Sequence, residues 1–355
     1  MTEGRAGEGP AAANEPIEGA LVGFGGVAEH GHLPGFRRHG GFAIASVAET
    51  DPVRRARARE ALGPGVRLYA SLRELLAAER PAFVDVAVPP ALHAETISEA
   101  IIARRHVLAE KPLATTLADA ERLLAAAQRA GVALVTAHNW HYAPAFRAAR
   151  EAVKAGAIGR PHRIEFVTER TEPAGGPRSW RLDRSVAGGG ILVDHGWHQL
   201  YLACALLGAG APRSVRATTA RRRFTQASVE DTAEVTLHFD GGAEARLALT
   251  WAAAERRTAV TLTGDEGELA IDGARVRVRK ASDEAGAARD WPVPPDAPDD
   301  SWHAAWFPPV LDLLAAALAS PATAAANRQE ARMCQSVIDA AYRSAERGGD
   351  PVALG

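Results

Sequence analysis

Residues 17–28 read IEGALVGFGGVA, an apolar run that passes straight into a glycine-rich turn. The first seven, IEGALVG, have the pattern of a short buried strand. The next six, Gly23-Phe24-Gly25-Gly26-Val27-Ala28, fit G-x-G-x-x-[G/A]. Gly23 permits the tight turn, Gly25 lets backbone approach a pyrophosphate, and Ala28 is small enough for a helix to pack closely on the strand. The amides of Gly26 and Val27 then open a helix and face the phosphates. Pro34 is expected to end or kink that helix.

Strands and helices alternate outward from this turn. Residues 42–48 form a second strand ending at Glu49, whose carboxylate suits both ribose hydroxyls of an adenosine and would repel a 2′-phosphate. NAD is therefore the expected cofactor. Arg54 and Arg55 keep NADP open, and Thr50 or Asp51 becomes the ribose ligand if the strand ends two residues later. Residues 71–79 read as a helix with a capping box from Ser71 and Glu74. Residues 82–88, AFVDVAV, form a strand stopped by Pro89 and Pro90; Pro89 and His93, near the start of the helix at 92–104, are expected beside the cofactor. A strand at 106–109, a helix at 116–130 and a strand at 132–136 complete an N-terminal Rossmann-type, doubly wound parallel sheet over residues 17–140. Ligands bind such sheets beyond the carboxyl ends of the strands.

The strand at 106–109 ends in Glu110-Lys111-Pro112. Lys111 reads either as a proton acceptor beside the cofactor or as a surface lysine paired with Glu110. Farther on, GGGILVDHGWHQLYLACALLG at 188–208 is a glycine-led apolar helix carrying Asp194 and His198 four residues apart, on one face. The pair either projects into a cleft or is a buried histidine satisfied by a carboxylate. Beyond it, β runs at 163–168, 215–219, 233–239, 243–251, 258–263, 268–271 and 275–278 are separated by short turns such as Asp240-Gly241-Gly242. They predict a C-terminal α+β domain with a large, mostly antiparallel open sheet over 141–325. Residues 283–300 read as a loop, 308–320 and 330–347 as closing helices, and 326–347 is expected to return to the first domain.

The chain has 355 residues, 47% hydrophobic and 24% charged, with a net charge of -2. That size suits two domains, and the balanced charge gives no reason to expect nucleic acid or a membrane surface. No run is long and apolar enough for a membrane span. Residues 1–16 read as a disordered tail with no address, so a cytoplasmic location is expected. Cys204 and Cys334 lie in apolar helical patterns as inert thiols. His195 and His198 with Asp194 lack the further ligand motif that zinc requires, so no metal is expected.

Three stretches together resemble one family, the Gfo/Idh/MocA oxidoreductases. They are LVGFGGVA at 21–28, HAETISEAIIARRHVLAEKPLA at 93–114 and SWRLDRSVAGGGILVDHGWH at 179–198. The resemblance implies a dehydrogenase moving hydride between nicotinamide and a secondary alcohol of a sugar, cyclitol or sugar derivative, with a catalytic trio carried onto Lys111, Asp194 and His198. Glu110 and Asn139 are expected near the cofactor; His141, Trp180 and Arg181, with Asp194 and His198, are expected near substrate. Two positions depart from the family pattern: Tyr201 stands where an aspartate is frequent and His141 where an arginine is common. Both are expected beside substrate. His198, whose free pKa lies near neutrality, is the preferred acceptor of the hydroxyl proton, with Lys111 polarising the oxygen; the reverse assignment stays open, since burial can lower a lysine pKa. Some relatives are non-catalytic nucleotide sensors, but all three trio residues are present here. A homodimer or homotetramer through the C-terminal sheet is also expected.

Overall fold

The computed structural model describes residues 15–282, 288–294 and 302–355. All but the last two residues of the expected tail at 1–16, and much of the expected loop at 283–300, fall outside these. The first sheet has six parallel strands: β1 (Ile17–Val22), β2 (Phe42–Ala48), β3 (Arg67–Tyr69), β4 (Phe83–Val86), β5 (His106–Ala109) and β6 (Leu134–Thr136). Their order is β3-β2-β1-β4-β5-β6. The order reverses between β1 and β4, which opens a crevice at their carboxyl ends. There Gly23 follows β1, Val88–Pro90 follows β4, and Glu110–Pro112 follows β5.

The second sheet has nine strands: β7 (Pro161–Glu169), β8 (Ser214–Ala220), β9 (Thr232–His238), β10 (Glu244–Thr250), β11 (Arg257–Gly264), β12 (Gly267–Asp272), β13 (Arg275–Lys280), β14 (Arg289–Trp291) and β15 (Val352–Ala353). They run β14-β13-β12-β11-β7-β10-β9-β8-β15, antiparallel except for the pair β7 and β10. One face is buried: Ala245, Leu247 and Leu249 of β10 point inward while Arg246 and Ala248 face out. β13 repeats this with Val276 and Val278 inside and Arg275, Arg277 and Arg279 outside. That alternation is what a half-covered antiparallel sheet requires.

Several elements depart from the sequence reading. The helix Pro52–Leu62 and the edge strand β3 had no strong apolar period; the helix starts because Asp51 accepts from the Val53 and Arg54 amides. Pro34 does not end its helix. A wide turn over Val27–His32 passes into an α-helix over Leu33–His39, with Pro34 in the first turn, where no amide is needed. The helix Pro308–Ala319, expected with the second unit, buries Val310, Leu311 and Leu314 in the same core as Leu21 and Phe83 of the first sheet and Phe36 of the helix Leu33–His39. The helix Ala325–Glu346 begins before the expected 330 and packs on β8, β6 and the helices Leu117–Ala130 and Trp197–Leu207.

The glycine-led helix sits between the two sheets. Leu192–Gly196 forms a wide turn that leads into an α-helix over Trp197–Leu207, where Trp197, Leu200 and Tyr201 are fully buried. Its entrance depends on Gly190. The buried Glu230 carboxylate accepts from the Gly190 amide at 3.0 Å and the Leu192 amide at 3.1 Å, and from the Tyr342 hydroxyl at 3.0 Å. A Cβ on Gly190 would lie 1.8 Å from the Glu230 carbonyl oxygen. Another backbone, not a ligand, is what this glycine admits. Gly190→Ala is therefore expected to cost about 3 kcal/mol of stability, the upper end for overpacking. Chemical denaturation checks this; an unchanged midpoint contradicts the packing account.

Candidate active site

The glycine turn shapes one end of the site. Gly23 has φ +86°, and a Cβ there would meet the Ala87 carbonyl at 2.7 Å, so the turn needs glycine. A Cβ on Gly25 would meet nothing within 4 Å, which leaves its face open to a flat anionic group. Gly26 lies under the Trp302 indole, and Ala28 is buried beneath the turn. Glu49, just beyond β2, is 6% exposed. Its Oε2 accepts from the Phe24 amide at 2.7 Å, and its Oε1 accepts from the Asp51 amide and from Arg54 Nη2. Burial works against its charge, but these bonds, Arg54 foremost, hold its pKa below the usual value. Each carboxylate oxygen can accept more than one donor, so Glu49 braces the turn and still fits a ribose hydroxyl. Asp51 is committed to capping its helix. The cradle therefore fits a dinucleotide.

Two of the expected cofactor neighbours do something else. His93 is fully buried; its Nδ1 lies 2.7 Å from the Pro112 carbonyl and its Nε2 2.9 Å from that of Val88. It stitches together the loops after β4 and β5 and does not reach the cavity. At the turn after β4, Val88 and Pro90 line the cavity in place of Pro89.

Behind Lys111 lies a charged cluster that sequence reasoning missed. His32 Nδ1 is 2.8 Å from Asp85 Oδ2 and Nε2 is 2.9 Å from Glu110 Oε1. Burial alone would lower the His32 pKa, but the charge and hydrogen bond of Asp85, then those of Glu110, raise it to about 10. An imidazolium between two carboxylates holds Glu110, and Glu110 Oε2 accepts from the Lys111 amide at 3.1 Å. The pattern was hard to read because its members come from three separate segments: the turn Val27–His32, β4 and the end of β5.

Lys111 and Asp194 meet directly. Nζ donates to Asp194 Oδ1 at 3.1 Å and to the Asp194 carbonyl at 2.7 Å. Arg181 Nε stands 3.5 Å from Asp194 Oδ2. Burial would raise the Asp194 pKa, but Lys111, Arg181 and His195 hold it well below the carboxylate range. A cavity of about 450 Å³ is lined by these residues together with His198, Val27, Glu110, Asn139, Trp140, Trp180 and Arg170. His195 and His198 are both pushed toward the neutral form by burial, His195 to about 4. Arg170, 7% exposed, is lowered to about 10 by burial and by Arg256.

His141 and Tyr201 do not stand where expected. His141 Nε2 is 2.9 Å from Glu330 Oε1, and Arg150 Nη1 is 3.1 Å from His141 Nδ1, so both ring nitrogens are occupied away from the cavity. Tyr201 is fully buried behind His198, with its hydroxyl 2.8 Å from His198 Nδ1. Glu330 also takes His138 Nδ1 at 2.5 Å; burial opposes its charge, but the two imidazoles bring it down to about 2. Nothing local in the sequence pointed to Glu330, which arrives from the last long helix.

The profile of the GFO/IDH/MocA oxidoreductase family's NAD-binding Rossmann fold matches residues 17–138, and that of the family's C-terminal domain matches 146–270. D-apiose dehydrogenase of Paraburkholderia graminis is 32% identical over 262 residues, 72% of this chain and 67% of that protein. The crystal structure of aldose-aldose oxidoreductase from Caulobacter crescentus, complexed with glycerol, superposes with a TM-score of 0.81 and 26% identity over 96% of this chain and 100% of that one. GenD2 from gentamicin A biosynthesis, in complex with NAD, gives 0.80 and 27% over 99% and 100%.

The Asp85–His32–Glu110 cluster has a signed pH dependence. The folded imidazole holds its proton up to about 10 against 6.5 for the free group. Its stabilising effect is thus full below the free value and is lost as pH rises through the folded one. The denaturation midpoint of the protein is expected to fall between neutrality and pH of about 10, and that of His32→Gln to fall less. Parallel profiles for the two proteins would show that His32 is not charged in the folded state.

Proposed function

The chain belongs to the GFO/IDH/MocA family of NAD-binding oxidoreductases, and from that premise we propose that it is a dehydrogenase acting on a carbinol carbon of a sugar, cyclitol or sugar derivative, with Lys111, Asp194 and His198 gripping the reacting hydroxyl. The observation that carries this reading is the Lys111–Asp194 ion pair, set in the wall of a cavity that His198 and Val27 of the glycine turn also line. When bound, the dinucleotide supplies a nicotinamide that accepts or returns hydride. The Gly23–Ala28 turn and Glu49 would hold its pyrophosphate and ribose, and Glu110 and Asn139 would flank the reactive end.

The chain's own groups account for the remaining work. Asp194 anchors the Lys111 ammonium and takes a substrate hydroxyl. The hydroxyl proton passes to one of two basic groups in the wall, Lys111 or His198. A cavity of about 450 Å³ suits a small ligand. Trp140 and Trp180 offer ring faces to the carbon skeleton, while Arg170, Arg181 and Asn139 offer donors to hydroxyl oxygens. Relatives named for apiose and for aldoses support the sugar class. His141 is left out of the substrate site, since its nitrogens are engaged elsewhere.

The same reading places the protein in the cytoplasm as a homodimer or homotetramer joined through the outer face of the nine-stranded sheet. Among the described residues no helix is long and apolar enough to cross a membrane, and Cys204 and Cys334 are free. Light scattering on the purified protein tests the assembly.

Activity is tested with NAD and NADP against cyclitols, aldoses and nucleotide sugars, following reduced-nicotinamide absorbance. NAD is the expected partner. Lys111→Met and His198→Ala are each expected to keep NAD binding and to lose turnover by about 100-fold or more, the usual scale for acid–base groups. Near-normal turnover in both variants would remove the trio from the mechanism.

A further inference from the structure

The Tyr201 hydroxyl decides which nitrogen of His198 carries the proton. A phenol has one proton to give and two lone pairs to receive. The Trp140 backbone amide, which can only donate, lies 3.2 Å from the hydroxyl oxygen. His198 Nδ1 lies 2.8 Å from the same oxygen. If Nδ1 carried a proton, the oxygen would receive two donors and its own proton would need a third partner. The nearest polar groups cannot serve. His138, stacked on the phenol with ring centres 4.6 Å apart, directs Nδ1 at Glu330 and receives the Trp197 indole N–H at Nε2. Glu330 meets His138 and His141 and makes no hydrogen bond to the Tyr201 hydroxyl. Tyr201 is fully buried, and among the described residues no other acceptor meets its hydroxyl. A buried hydroxyl proton left without an acceptor is unfavourable, because its desolvation is uncompensated. The arrangement that satisfies every group has Tyr201 donating to Nδ1.

We infer that Tyr201 fixes His198 as a neutral imidazole protonated at Nε2, so that His198 donates a hydrogen bond to the reacting oxygen and Lys111 is the group that takes its proton. Tyr201 is thereby a positioning residue acting through His198. The Trp140 indole lies parallel to the imidazole at 4.7 Å and 11°, which keeps Nε2 as the ring nitrogen left for the cavity. The groups facing His198 point the same way. Lys111 and His195 disfavour a second proton on the ring, and Asp194, which would favour one, is already paired with Lys111. His138 adds no negative charge. In the oxidising direction the Lys111 ammonium first gives a proton up to solvent through the cavity, the substrate O–H bond breaks, and its proton goes to the resulting amine. The C–H bonding pair leaves as hydride to the nicotinamide, and a C=O bond forms on the carbon. The Nε2 proton stays on His198 and stabilises the oxygen throughout.

This rests on the dehydrogenase reading for its chemistry but not for its first test. Imidazole ¹⁵N NMR of the substrate-free protein, with the His198 signals assigned from His198→Gln, is expected to show Nε2 protonated and Nδ1 bare. Tyr201→Asp replaces the donor by an acceptor and is expected to move the proton to Nδ1; Tyr201→Phe is expected to leave a mixture. In kinetics, Tyr201→Phe is expected to lower kcat about tenfold with KM little changed. His198→Gln keeps a donor near the Nε2 position and is expected to retain at least about tenfold more turnover than Lys111→Met. The pH dependence of kcat is expected to vanish with Lys111→Met and to survive His198→Gln. A wild-type signal with Nδ1 protonated overturns the inference, as does a pH dependence lost with His198→Gln and kept with Lys111→Met. An Nε2-protonated ring in a protein with no dehydrogenase activity on any sugar or cyclitol would instead sink the functional reading while leaving the tautomer assignment intact.

Discussion

One contact joins the two halves of this protein at the place where chemistry is expected: the Lys111 ammonium on the Asp194 carboxylate and carbonyl. Lys111 belongs to the loop after β5, and Asp194 to the wide turn that opens the central helix. Neither side chain is more than about a fifth exposed. A buried ion pair tolerates the loss of one partner poorly, because the other charge is left uncompensated. The geometry of the crevice therefore depends on both sheets being placed correctly at once. Glu230 holding the helix entrance through the Gly190 and Leu192 amides, and Glu110 holding the Lys111 amide, are the supports on either side.

The histidines around this contact divide by their surroundings. His32 sits between Asp85 and Glu110 and keeps its charge. Burial keeps His195 and His198 neutral, helped at His195 by Arg170, Lys111 and Arg181 and at His198 by Lys111. His138 and His141 share a single carboxylate, with a donor on the other nitrogen of each. Three environments in one fold produce a structural cation, neutral groups in the cavity wall, and a scaffold pair behind it. Environment, not residue type, separates these roles.

Much of the fold was legible because period and punctuation agree in the relevant segments. β1, its glycine turn and the alternating β–α units carry strong apolar patterns, and the hairpin strands are separated by Gly and Asp turns. The misses have physical causes. The helix Pro52–Leu62 is arginine-rich and buries only Ala58, so its signal was a cap and not a stripe. β3, β14 and β15 are edge strands of two or three residues, too short for a period. At the site, a strand-end position brought Lys111 to notice and spacing brought Asp194 and His198, the family resemblance joined them as a trio, and the structure brings them to one cavity. His93 and His141 were misplaced because sequence does not show which carbonyl, carboxylate or guanidinium a ring nitrogen will meet. His32 and Glu330 escaped because their partners lie 53 and 192 residues away.

Tyr201 shows where reading a pattern stops and hydrogen-bond accounting starts. Three residues after His198 on a helix, it must share a face with the imidazole, and that much follows from spacing. The sense of the bond between them does not. It is set by the Trp140 amide, which comes from a short turn after β6 and occupies one lone pair of the phenol, and by Nδ1 being the acceptor that the described residues offer the phenol proton. A carboxylate at the same position would draw the proton to Nδ1 and turn Nε2 toward the cavity as an acceptor. One side chain out of contact with any ligand thus determines whether its neighbour gives or takes a hydrogen bond at the reacting oxygen. It does so through a backbone donor that no comparison of residue identities at 198 and 201 alone would reveal.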